Sequence, residues 1–250
     1  MKVCEIFASI QGESTYSGLP CVFVRLTGCN LRCSYCDTRY AYDEAREMTG
    51  DEIVTEVISY SLRLVEITGG EPLLQNEVLT LISRLNDQGL SVLIETNGSI
   101  NIADVDRRAT IIMDVKTPGS SMSETLYAAN FENLKRSDEL KFVITSRADY
   151  EWAKDVVTKF VLHEKCTVHF SPAYSLIQPS DLSAWILQDK LSVRLNLQLH
   201  KYIYHPDRRG VRIHLGPKHL RNTDQSFADL TSFRKRVTIT NRNRFYLTNI

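Results

Sequence analysis

Cys21-Val22-Phe23-Val24-Arg25-Leu26-Thr27-Gly28-Cys29-Asn30-Leu31-Arg32-Cys33-Ser34-Tyr35-Cys36-Asp37-Thr38 is an apolar run that leads into a loop of three cysteines. The run reads as a buried strand. Three residues separate Cys29 from Cys33, and two separate Cys33 from Cys36. Three thiolates on one short loop can hold three irons of a 4Fe–4S cluster, whose complete thiolate ligation takes four. One iron is then open to another molecule. A disulfide framework does not suit a chain of 250 residues, which can bury a core without such staples. Structural zinc normally takes four Cys or His ligands. The nearest histidine is His163, and Cys4 and Cys21 sit in strand-like runs. Cys4, Cys21 and Cys166 read as buried small hydrophobes.

Outward from this loop, strand-like and helix-like segments alternate. Strands are expected at 3–9, 21–26, 64–68, 90–95, 110–115, 140–145, 166–170 and 192–199. A helix is expected over 49–60, where Thr49 and Glu52 form a capping-box pattern ahead of Ile53 and Val54. Val78, Leu81, Ile82 and Leu85 mark a second helix that stops at Gly89. Others are expected over about 148–160 and after Ser180. Such alternation predicts an α/β fold with a parallel sheet, right-handed crossovers and chemistry at the carboxyl ends of the strands. The cysteine loop, Gly69-Gly70, Thr96-Asn97-Gly98 and Lys116 each follow an expected strand, so they should meet on one rim. The architecture expected is a partial, open TIM-like barrel with outer helices.

Polar motifs add detail. Two glycines in Thr68-Gly69-Gly70-Glu71-Pro72 let backbone approach a ligand closely, and Glu71 offers an acceptor for an ammonium group; a plain strand–helix turn is the alternative. Gln11, Gly12 and Glu13 make either a polar turn or a patch that reads a heterocycle edge. Arg25 ends an apolar strand, where a charge is costly unless paired. Its fork suits a carboxylate ligand or an internal salt bridge to a Glu. Thr38 and Asp37 offer oxygens to a hard cation.

Hydrophobic residues make up 43% and charged residues 24% of the chain, ordinary for a soluble globular protein. Neither a signal-peptide pattern nor a run of roughly 18–20 apolar residues occurs, so a reducing, cytoplasmic location is expected. Net charge is zero but unevenly placed: 208–250 hold ten Lys/Arg and two Asp/Glu. The division expected is a domain over 1–211 and a basic extension over 212–250. That extension reads as a disordered arm, an RNA- or partner-binding segment, or an appendage without selected function.

The Cys29-Cys33-Cys36 spacing closely resembles that of the radical S-adenosylmethionine enzymes. In order, Ile10-Gln11-Gly12-Glu13, Arg25, the cysteine loop, Thr68-Gly69-Gly70-Glu71-Pro72, Glu95-Thr96-Asn97-Gly98, Asp114-Val115-Lys116 and Gln198-Leu199-His200-Lys201-Tyr202 resemble the 7-carboxy-7-deazaguanine synthase family. Ser14 departs from it, standing where the family often has a glycine. The resemblance implies conversion of 6-carboxy-5,6,7,8-tetrahydropterin to 7-carboxy-7-deazaguanine with loss of ammonia, in the 7-deazapurine (queuosine) pathway. It implies that a 5′-deoxyadenosyl radical takes the C6 hydrogen of the pterin. Cys29, Cys33 and Cys36 would hold the 4Fe–4S cluster. Tyr35, Cys36, Asp37, Gly70, Glu71, Asn97, Asp114, Val115, Lys116, Ser171, Pro172, Ala173 and Tyr174 would border S-adenosylmethionine. Ile10, Gln11, Gly12, Glu13, Arg25 and Thr68 would border the pterin, and Thr38 would ligate Mg²⁺. A homodimer and a small electron donor such as flavodoxin are also implied. Two other readings compete: an activase of glycyl-radical enzymes, against which the Gln11-Gly12-Glu13 run and Thr38 argue, and a non-catalytic metal-binding module with an RNA-binding tail, which would leave the glycine and polar motifs idle.

Overall fold

The computed structural model describes residues 1–205 and 209–210; the expected extension over 212–250 lies outside them. Nine strands form one sheet: β1 (Lys2–Ile10), β2 (Pro20–Leu26), β3 (Arg46–Glu47), β4 (Leu64–Gly69), β5 (Ser91–Thr96), β6 (Thr110–Val115), β7 (Glu139–Ile144), β8 (Thr167–Pro172) and β9 (Arg194–Leu195). Their order is β3-β1-β2-β4-β5-β6-β7-β8-β9. From β2 to β9 every neighbouring pair is parallel. The helices are α1 (Gly50–Ser59), α2 (Glu77–Asp87), α3 (Asn130–Asn133), α4 (Arg147–Lys159), α5 (Leu162–Lys165), α6 (Pro179–Asp189) and α7 (His200–Ile203). The sheet does not close on itself; β3 and β9 are its edges. This is the expected open α/β half-barrel. None of the described helices is long and apolar enough to cross a membrane.

Alternation along the strands builds the two faces. Val24, Ile67, Ile94, Met113, Phe142 and Phe170 are 0% exposed and pack into the main core, shared with Ile53, Ile82, Leu85 and Val157 of the helices. The alternate residues Arg25, Glu66, Thr68, Glu95, Asp114 and Lys141 line the concave side. Near the amino ends of the strands that side is apolar, where Cys21, Leu64, Leu93 and Ile112 pack with Phe23 and Tyr16.

Two expectations are corrected. The sheet is not wholly parallel: β1 runs antiparallel to both β2 and β3. Residues 11–19 are too few for a crossover, so β1 and β2 pair as a hairpin. The Gln11-Gly12-Glu13 turn therefore does not emerge on the rim. Its loop lies across the concave face, with Thr15 N donating to Glu139 at 3.0 Å and the Tyr16 hydroxyl 3.3 Å from that of Thr110. Ser14 takes a left-handed φ of 63° in this loop, a conformation that glycine adopts without strain. The second correction is the strand expected over 192–199, which is reduced to Arg194–Leu195. Its alternating leucines mimic a strand, but Leu195 and Leu197 are exposed at the sheet edge. Asn196 and Gln198 are drawn inward, to His169 and Glu13, and Leu199 N donates to Gly12 O at 2.8 Å.

The capping box is present as read. Thr49 N donates to Glu52 Oε2 at 2.7 Å, and Glu52 N donates to Thr49 Oγ1 at 3.2 Å. Thr49→Ala is expected to lower stability by about 0.5–2 kcal/mol, read as a lower urea midpoint with an unchanged slope.

Candidate active site

The three cysteines of the loop are free thiols, partly exposed, and all line a cavity of about 620 Å³. Leu31, 2% exposed, anchors the loop in the fold. Around it, Gly28 N donates to Ala41 O at 2.8 Å, Ser34 N to Ser120 O at 3.0 Å, and Ser34 Oγ to Gly119 O at 2.7 Å. Asn30 joins it to the next motif, donating to Ser99 Oγ at 2.8 Å and accepting from Asn97 Nδ2 at 3.1 Å. Burial pushes the Cys29 and Cys33 thiols up, and the Lys116 ammonium opposes it. The loop is thus held from several sides before anything binds.

Gly70 sets how closely the loop and β4 meet. A Cβ at Gly70 would lie 2.1 Å from Gly28 O and 2.8 Å from Cys29 Cβ. Glu71 N donates to Gly28 O at 2.8 Å across this contact. What the glycine admits is therefore the cysteine loop itself. Glu71, expected to receive an ammonium group, is 0% exposed and stands behind the cavity wall. Its carboxylate accepts from Leu73 N at 3.0 Å, Thr96 Oγ1 at 2.8 Å and Asn97 N at 2.7 Å, so it ties the ends of β4 and β5 together.

Below the loop the cavity floor is charged. Lys141, 5% exposed, reaches three carboxylates: Glu13 at 2.7 Å, Asp114 at 3.2 Å, and Glu95. Burial disfavours the Glu13 and Asp114 charges, but their lysine neighbours outweigh it and hold both carboxyls below the ordinary range. Lys116 is 3.0 Å from Asp114. Arg25 takes the internal partner that its sequence allowed: Nε donates to Glu5 Oε1 at 2.8 Å, which also accepts from the Tyr40 hydroxyl. Its guanidinium remains on the cavity wall. Gln11 Nε2 donates to Glu66 at 2.5 Å, and Gln11 Oε1 accepts from Glu13 N. Burial, then the Glu95 charge, push the Glu66 carboxyl up to about 8. A Cβ at Gly12 would lie 2.9 Å from His200 N, so this glycine admits the segment after β9.

Most expected residues share the one cavity. Ile10, Gln11, Gly12, Glu13, Arg25, Thr68, the three cysteines, Tyr35, Asp37, Thr38, Gly70, Asn97, Asp114, Lys116, Ala173 and Tyr174 line it. Val115, Ser171, Pro172 and Glu71 do not. Val115 presents no side chain to it, since alternation turns that side chain into the main core, at 0% exposure. Glu66 and Lys141 line the cavity, and Glu139 and His169 pair outside its lining; reading the sequence for function singled out none of the four. Their signal was present, since a charge or imidazole inside an apolar strand is costly unless something receives it.

The site fits an iron–sulfur cluster and a polar ligand. No three His, Cys, Asp or Glu side chains among the described residues could hold a single metal ion, but thiolates that each take a different iron need not converge on one point. On the cavity wall, buried Tyr35 Oη and Asp114 Oδ1 lack hydrogen-bond partners, and such groups normally have one. At the mouth, Thr38 Oγ1 donates to Asp37 Oδ1 at 2.9 Å, and Lys201 lies 2.7 Å from the same carboxylate. Desolvation raises the Asp37 carboxyl, but Lys201 and Thr38 prevail and hold it at about 2.

Two outcomes follow from this geometry. Gly70→Ala should force the cysteine loop aside, so that anaerobic reconstitution yields far less iron and sulfide per chain while far-UV circular dichroism is unchanged. Glu66 favours its protonated form in the fold, so its contribution to stability is full below about 4.3 and is lost as pH rises to about 8. Glu66→Leu should therefore stabilise the chain, with a gain in melting temperature that grows across that window.

Known proteins share this chain's sequence pattern and fold. The Radical SAM superfamily profile matches residues 23–160. A 7-carboxy-7-deazaguanine synthase from Chlorobaculum tepidum is 46% identical over 214 residues, covering 84% of this chain and 97% of its own length. One from Koribacter versatilis is 45% identical over 226 residues, covering 84% and 100%. The crystal structure of QueE from Escherichia coli shares the fold, with a TM-score of 0.67 at 21% identity over 80% of this chain and 94% of that one. The chain belongs to the 7-carboxy-7-deazaguanine synthase family of the Radical SAM superfamily.

Proposed function

We propose that this chain is a radical S-adenosylmethionine lyase that converts 6-carboxy-5,6,7,8-tetrahydropterin to 7-carboxy-7-deazaguanine with loss of ammonia, in queuosine biosynthesis. One observation carries the reading: the three thiols share a cavity of about 620 Å³ with Gln11, Arg25 and Thr68, the residues the family resemblance gives to the pterin. When bound at Cys29, Cys33 and Cys36, the cluster supplies the electron that cleaves S-adenosylmethionine to the radical that takes the substrate hydrogen.

The chain's own work is binding, orientation and exclusion of water. Tyr35, Asp114 and Lys116 form the polar wall beside the cysteines and suit S-adenosylmethionine. Arg25, steadied by Glu5 and Tyr40, keeps donors of its planar fork for the pterin carboxylate. Thr38 suits Mg²⁺, a hard cation that keeps few protein ligands and shares substrate oxygens. No acid–base triad is called for, because the key step moves a hydrogen atom. A homodimer, a cytoplasmic setting and a small electron donor such as flavodoxin complete the reading.

The test is anaerobic reconstitution with iron and sulfide, followed by incubation with the carboxypterin, S-adenosylmethionine, reductant and Mg²⁺. The expected product is 7-carboxy-7-deazaguanine; its absence with a confirmed cluster would overturn the reading. In the same assay Thr38→Ala should raise the Mg²⁺ concentration for half-maximal rate, on the order of 10-fold or more. An unchanged Mg²⁺ requirement would remove Thr38 from the metal site.

A further inference from the structure

Glu66 is the acid on the cavity wall that the reading above leaves without a task. It interrupts the apolar strand Leu64-Val65-Glu66-Ile67, faces the concave side and is 2% exposed. The other wall carboxylates have cations: Glu5 has Arg25, Asp37 has Lys201, Glu13 and Glu95 have Lys141, and Asp114 has both Lys116 and Lys141. No cation is within salt-bridge distance of Glu66 among the described residues, and its one hydrogen bond comes from Gln11 Nε2 at 2.5 Å.

That bond fixes the Gln11 amide. Oε1 accepts from Glu13 N, so Nε2 is the end that faces Glu66. The donors and acceptors still free then form a pattern. The second N–H of Gln11 is a donor, and the Glu66 carboxyl presents two acceptor oxygens when ionised. A 2-amino-4-oxopyrimidine ring shows the complement along one edge: a carbonyl acceptor, then a ring N–H and an amino N–H. Glu13 and Glu95 cannot replace Glu66 without giving up Lys141. No cation among the described residues compensates the Glu66 carboxyl, and burial with the Glu95 charge pushes it up to about 8. A pair of ligand donors is the group that would stabilise its ionised form.

We propose that Glu66 is a specificity-determining residue that, together with Gln11, binds the amino-pyrimidinone edge of the substrate. The proposal rests on the pterin reading of the site. It assigns Glu66 the ring N–H and the 2-amino group, and Gln11 the ring carbonyl. Lys141 stays with its three carboxylates and does not touch this edge.

The experiment measures dissociation constants by calorimetry on the reconstituted holoenzyme, for 6-carboxy-5,6,7,8-tetrahydropterin and for its analogue lacking the 2-amino group. Wild type, Glu66→Leu and Glu66→Gln are compared, with S-adenosylmethionine affinity as the measure of an intact cavity. Both variants should fold, because each replaces a buried acid that no cation pairs. Wild type should prefer the pterin over the analogue by roughly tenfold or more, since a site built to bond a group rejects a ligand lacking it. In both variants that preference should collapse, with S-adenosylmethionine binding unchanged. A variant that weakens both ligands by the same factor, or keeps the wild-type preference, overturns the proposal and leaves the functional reading standing. A cluster-loaded wild type that binds neither compound overturns the functional reading and this inference together.

Discussion

The ammonium of Lys141 is the constraint on which the interior depends. It is almost wholly removed from water, where an unpaired charge is far too costly to keep. Three carboxylates compensate it, and they come from different parts of the chain: Glu13 from the β1–β2 loop, Glu95 from β5 and Asp114 from β6. One cation therefore fixes the loop relative to two strands and decides which acids stay ionised. The cluster of charges is tolerable because the other face of the same strands is a dry core, with Ile67, Ile94, Met113 and Phe142 at 0% exposure. Burial of each such side chain contributes roughly 1.5–3 kcal/mol. Stability lives on the convex side, which leaves the concave side free for costly polar groups.

The cysteine loop follows a different logic. It is irregular, yet its backbone is bonded to the neighbouring turns at Gly28, Ser34 and Glu71. The absent side chain of Gly70 lets Cys29 lie against β4. Glu71 then binds three donors behind the wall and fixes the rim from outside. The three cysteines are thus positioned by residues that offer no thiol of their own, as second-layer groups orient metal ligands elsewhere.

Much of this was legible in the sequence, for identifiable reasons. Strand positions were readable because apolar runs between glycine turns have one interpretation in an alternating chain. The Thr49–Glu52 cap was readable because both partners lie in one turn of helix. The direction of β1 was not, since the parallel expectation ignored how short residues 11–19 are. The end of the chain's described part misled because its leucines alternate while Asn196 and Gln198, not the leucines, point inward. Arg25 was singled out as a charge in an apolar strand. The same rule applies to Glu66, Lys141 and His169, but their partners lie as far away in sequence as Glu13 and Asn196, and no local pattern pairs them. The side chain of Val115 parts from its motif because a strand sends the middle of three successive residues to the opposite face.

The apolar packing of Tyr16 against Cys21, Leu64, Leu93 and Ile112 has a consequence for traffic. Among the described residues it closes the amino end of the concave side, away from the cysteine loop. Gln11 and Glu66 lie deeper than Cys33 and Asp37. A ligand that reaches Gln11 and Glu66, 4% and 2% exposed, therefore gives up more of its hydration than one that stays beside the partly exposed thiols.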